Sequence, residues 1–66
     1  MKRGDLLRHL QEYGCELVRE GSRHSWWWNP HQNRRSAIPR HQEIDDILAK
    51  KICKDLGIPF TKWQNK

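Results

Sequence analysis

Leu6, Leu10 and Tyr13 recur at the i, i+4, i+7 spacing of one helical face, with Leu7 beside them. The spacing predicts a helix over 2–13. Asp5 falls in its first turn, where a carboxylate suits the positive end of the helix dipole. Gly14 follows the last periodic residue, the place of a left-handed cap. From Cys15 to Glu20 the period shortens towards two: Cys15 and Leu17 alternate with Glu16, and Val18 blurs the pattern. Gly21-Ser22 reads as a turn. The segment His24 to Asn29, rich in tryptophan, reads as a second strand. A polar loop with Pro30 follows, then a third strand from Arg34 to Ile38, stopped by Pro39. A second helix lies between Glu43 and Leu56. Ile44, Leu48, Ile52 and Leu56 recur every four residues, and Ile47 and Ala49 widen that stripe. Acidic residues crowd its start and lysines its later turns, with either Gln42 or Asp45 at the cap position. Gly57 ends it and Pro59 prevents continuation. Residues 59–66 form a short tail whose Trp63 either folds back or stays free.

The order is helix, three antiparallel strands, helix, an α+β fold. Each helix has one apolar stripe, so both are expected on one face of the sheet, leaving the other face open. Alternation divides the second strand. Ser25, Trp27 and Asn29 share one face, and His24, Trp26 and Trp28 share the other. Burying Trp26 and Trp28 would hide more apolar area. It would also bury an imidazole with no evident partner and two indole N–H groups in a thin core. Trp27 is therefore the expected core residue. His24, Trp26 and Trp28 are then left exposed together, an apolar patch that calls for a partner.

The chain has 66 residues and is read as a single domain over 1–66. Two cysteines, Cys15 and Cys53, do not make the disulfide framework of a small secreted domain. They read as buried thiols in a reducing compartment. Met1-Lys2-Arg3 leads into a charged amphipathic segment rather than a secretory leader, and no stretch approaches membrane-spanning length. A cytoplasmic protein without a membrane partner is expected. The net charge is +5, and it is concentrated: residues 19–41 hold five arginines against Glu20 alone, with three of the four histidines. Basic side chains interleaved with aromatics suit a phosphate backbone with bases free to stack.

The elements "GSRH" at 21–24, "RRSAIPRH" at 34–41 and "LGI" at 56–58, in this order around the strands, resemble the HicA family of bacterial toxins. The resemblance covers roughly residues 3–58. The triple tryptophan is not a family feature, and Asp45-Asp46-Ile47 stands where a glycine–threonine pair is common. The resemblance implies a fold like a double-stranded-RNA-binding domain. It also implies an mRNA-cleaving toxin that acts without the ribosome and is neutralised by a HicB-type antitoxin. It maps the family's catalytic histidine onto His24. The toxin alone is expected to be a monomer, and the antitoxin to cover the open sheet face in a larger complex.

The chemistry suits such a role. RNA carries its own nucleophile, the 2′-hydroxyl. Histidine, whose free imidazole titrates near pH 6.5, can take or give its proton. His24 is the candidate general acid or base, with no metal or cofactor. Arg35 can reach the open face, while Arg34 and Arg40 are candidate backbone contacts. Arg23 adjoins His24 but points to the opposite face unless the turn extends that far. Trp26 and Trp28 are candidate stacking platforms. His9 reads as exposed on the first helix, His31 as a loop residue, and His41 as a cap of the second helix rather than a catalytic group. Ser22 shapes the turn. Cys15, His24, His31 and His41 contain no close ligand pair that would mark a zinc site. Two other functions remain open: a non-catalytic RNA-binding module, and a protein-interaction domain anchored by Trp26 and Trp28.

Overall fold

The computed structural model describes residues 1–60. Helix α1 spans Arg3–Glu12 and helix α2 spans Asp46–Leu56. Between them lie β1 (Glu16–Glu20), β2 (His24–Asn29) and β3 (Arg34–Pro39). The three strands form one antiparallel sheet in the order β1-β2-β3. This is the α+β fold of the double-stranded-RNA-binding type. Trp63 lies outside the described residues.

The helices end where glycine permits it. Gly14 follows α1 at φ 85° and Gly57 caps α2 at φ 76°, both left-handed. A side chain at Gly14 would meet the His31 imidazole, and one at Gly57 would meet the Gln32 amide. Both turns are thus packed under the β2–β3 loop.

The core lies on one face of the sheet. Leu6 and Leu10 of α1 and Ala49, Ile52, Cys53 and Leu56 of α2 are buried with Trp27 and Ile38. Ile44, ahead of α2, joins them. Three side chains of the β2–β3 hairpin accept the role of capping α2, whose last carbonyls have no partner within the helix. Arg34 Nε donates to Asp55 O at 2.9 Å, Asn29 Nδ2 to Leu56 O at 2.7 Å, and Gln32 Nε2 to Gly57 O at 2.8 Å. These bonds fix the sheet against the helix.

Several expectations are corrected. His9 is buried, not exposed, and its Nε2 lies 2.7 Å from Pro59 O. It shares the inward stripe with Leu6 and Leu10, and its ring meets Tyr13 edge-on. Helix α2 starts at Asp46, with Asp45 at the cap position, so His41 does not cap it. Starting there turns Ile47 outward, 79% exposed, rather than into the stripe. Strand β1 adds no buried residue: Cys15 is buried just ahead of it, and Leu17 is 46% exposed. Among the described residues the strand is an edge, flanked by β2 alone. Cys15 and Cys53 are both free thiols. Burial pushes the Cys53 thiol up to about 12, with Cys15 adding to the effect. Among the described residues no helix is long and apolar enough to cross a membrane.

Candidate nucleic-acid interface

The open face is built on β2. Along His24–Asn29 the burial alternates, with Ser25, Trp27 and Asn29 inside and His24 and Trp26 outside. Trp27 is 4% exposed and Trp26 44%. The adjacent indoles thus do different work because strand geometry sends them to opposite sides. Trp28 is half-buried on the open side, and its Nε1 donates to Asn33 Oδ1 at 3.2 Å. Asn33 itself sits in the left-handed region at φ 54°, where asparagine is better tolerated than most residues.

Cross-strand pairing decides which neighbours join this face, because directly opposed residues point the same way. On β3, Ala37 opposes Trp26 and Arg35 opposes Trp28. On β1 the pairing slips: Leu17 opposes Trp27, but Arg19 opposes Trp26, leaving Val18 as the extra residue of a bulge. The bulge restarts the alternation. Arg19 comes to the open face, and Glu20 goes to the helix side, where its Oε1 accepts Ser25 Oγ at 2.7 Å. Reasoning from the sequence passed over Arg19 as a site residue. The broken alternation at Val18 was the signal that could have found it.

A shallow depression of about 160 Å³ lies here, lined by Val18, Arg19, Trp26, Trp27 and Arg35. A larger hollow of about 510 Å³ sits at the start of α1, among Lys2, Arg3, Gly4, Asp5, Arg40, Gln42 and Glu43. It includes two carboxylates, and its two arginines are already engaged with the protein. The smaller depression is the better match to the chemistry on β2.

The arginines sort themselves by what they hold. Arg34 alternates with Arg35, so it lies opposite Asn29 on the helix side and grips the end of α2. Arg40 Nη1 donates to Gly21 O at 3.0 Å and lies 3.5 Å from Glu20 Oε1. Arg3 donates to Pro39 O and to Ser25 Oγ. By contrast, Arg19, Arg23 and Arg35 have no hydrogen bond or ion pair from their side chains among the described residues. Arg23 lies in the turn, one residue ahead of β2, and is exposed. The structure therefore brings His24, Trp26, Trp28 and Arg35 to one face, adds Arg19, leaves Arg23 beside them, and directs Arg34 and Arg40 to structural partners.

His24 opens β2 and is exposed. Its backbone is held by the turn: Gly21 N donates to His24 O at 2.7 Å, and Arg40 N donates to Arg23 O at 3.3 Å. The tightness of that turn places a small residue at 21, where an added Cβ would lie 3.0 Å from His24 O. Among the described residues no group of three or more His, Cys, Asp or Glu gathers to hold a metal ion. Cys15 is in the core, on the far side of the sheet from His24.

The model of one protein family, described as the HicA toxin of bacterial toxin–antitoxin systems, matches residues 3–58. The chain belongs to the HicA toxin family. No curated protein and no solved structure matches it. Membership makes this chain the toxin side of a toxin–antitoxin pairing. It covers α1 through Ile58, so every residue of the open face lies inside the HicA match.

Proposed function

We infer that this HicA-family protein is an endoribonuclease that cleaves mRNA by attack of the RNA's own 2′-hydroxyl, with His24 as general acid or base. The observation that carries the reading is the placement of an exposed His24 at the head of a strand whose same face holds Trp26, Arg19 and Arg35. His24 takes the 2′-hydroxyl proton, and the 2′-oxygen bonds to phosphorus. The bond to the 5′-oxygen breaks, that oxygen takes a proton from water, and the His24 imidazolium then returns its proton to the solvent. The products are a 2′,3′-cyclic phosphate and a 5′-hydroxyl. No metal enters these steps. Guanidinium groups stabilise the negative charge that grows on the phosphoryl oxygens. Arg19, Arg23 and Arg35 are the ones with donors to spare. Arg34 and Arg40, expected from the sequence as backbone contacts, are engaged with Asp55 O and with Gly21 O and Glu20 instead.

The same face is the docking surface for a HicB-type antitoxin. Covering it would bury Trp26 and close access to His24 in one step, which makes occlusion the mechanism of neutralisation. A complex in which His24 stays open to solvent would contradict that.

The test is a gel of RNA incubated with the purified protein in chelator, beside the same RNA carrying a 2′-deoxy sugar at the cleaved position. The first is cut to ends bearing a cyclic phosphate and the second resists. Cutting of the deoxy strand would overturn attack by the 2′-hydroxyl. One observation favours a second reading: His24 has no side-chain partner among the described residues, so no second acid–base group is joined to it. Salt-dependent binding without any cleavage product would establish the protein as an RNA-binding module instead.

A further inference from the structure

The middle rung of the open face is the most basic and the most open. It reads Arg19, Trp26, Ala37 across the three strands. Ala37 is small, so the residue opposite Trp26 on β3 adds little bulk, and the shallow depression forms there, lined on the β3 side by Arg35. The next rung reads Glu16, Trp28, Arg35. Its indole is half-buried and tied to Asn33, and the Glu16 carboxylate repels phosphate at its β1 end. The two outer tryptophans are thus unequal: Trp28 is a wall, and Trp26 is a free platform between two unpaired guanidinium groups.

We propose that Trp26 is a single-nucleotide subsite, on which one unpaired RNA base stacks while Arg19 and Arg35 hold the phosphates on either side of it. The proposal rests on the reading of this face as an RNA-binding surface, and it adds the geometry of the substrate. Trp26 lies two residues along β2 from His24, about 7 Å. That is a separation one extended nucleotide can span. The base on Trp26 therefore neighbours the phosphate presented to His24. Every base has a π-face, so the subsite tolerates any base but requires it to be unpaired. Charge favours RNA over a protein around Trp26, because Arg19 opposite it and Arg35 one rung along, which line the same depression, are guanidiniums without a partner among the described residues.

The test compares a short single-stranded oligouridylate, 2′-O-methylated to prevent cleavage, with a base-less 2′-O-methylribose–phosphate strand of the same length. Their affinities for the full chain are measured over a salt series. The oligouridylate should bind roughly 5- to 100-fold more tightly. Trp26→Ala should erase that difference, and Trp26→Phe should restore part of it. Arg19→Ala and Arg35→Ala should weaken both strands alike and lower the salt slope by about one each. Circular dichroism checks that each variant is folded. Equal binding of the two strands by the wild type would overturn the subsite. So would a Trp26→Ala protein that keeps the preference, or one that loses only antitoxin binding. Because none of these strands can be cut, the outcome is independent of the nuclease reading. A protein that binds in this way and never cleaves would overturn only the proposed function.

Discussion

At the scale of single residues, three consecutive tryptophans occupy three environments, and substitution should separate them. Trp27→Ala removes the largest side chain of a thin core and is expected to lose about 3–5 kcal/mol, measured by urea denaturation. Trp26→Ala should cost much less, about 1 kcal/mol, since Trp26 is already 44% exposed. Equal losses would mean that the face assignment is wrong. The thiols make a second prediction. Cys53 is pushed up to about 12 from an ordinary 9.0 by burial, so its reactive thiolate is scarce at pH 8. Ellman's reagent should label it in unfolded but not in native protein. The sign of the linkage follows. The folded thiol holds its proton more tightly than the unfolded one, so the associated stability is whole below pH 9.0 and declines as pH rises towards 12. Melting temperatures measured across that window should fall. Not every residue was readable in this way. Alternation put Trp27 on one face and Trp26 and Trp28 on the other, and the cost of burying the His24 imidazole and two indole N–H groups decided which face is core. His9 was misread because its polarity outweighed its position between Leu6 and Leu10. The carbonyl of Pro59, fifty residues along the chain, gives that imidazole a partner the local pattern does not show.

At the scale of elements, local pattern carried far where each segment answers to one neighbour. Strand β2 runs over His24–Asn29 as the tryptophan run predicted, and both helices end at their glycines. The misses lie where tertiary geometry overrides the pattern. The apolar repeat through Ile44 and Ile47 suggested a helix from Glu43, yet the chain stays extended to Asp45 while its backbone is tied to the N-terminal segment. β1 looked half-buried, but as an edge strand with a bulge it buries nothing. The bulge is testable. Leu17 pairs with Trp27 and Arg19 with Trp26, so deleting Val18 removes only the extra residue and keeps both pairs. The deletion should fold, melt within a few degrees of the wild type and keep its RNA affinity. Deleting Arg19 instead places Val18 opposite Trp26 and should weaken binding. If losing Val18 unfolded the protein, the described register would be wrong.

At the scale of the whole molecule, the sheet is a partition. Two helices and the hydrophobic core occupy one side, and the other side gathers an imidazole, an exposed indole and the arginines that the fold does not need for itself. The net charge of +5 does not reveal this division, because Arg3, Arg34 and Arg40 are spent on holding the structure together. The chain is a member of the HicA toxin family, and the sidedness of β2 says which residues its open face leaves exposed. The most direct measurement is the rate at which RNA is cleaved by the wild type and by His24→Ala, with binding of the uncleavable strand measured in parallel. Removing a general acid or base should slow cleavage roughly 10²- to 10⁴-fold while binding and melting temperature stay unchanged. Cleavage by His24→Ala at the wild-type rate would contradict the account.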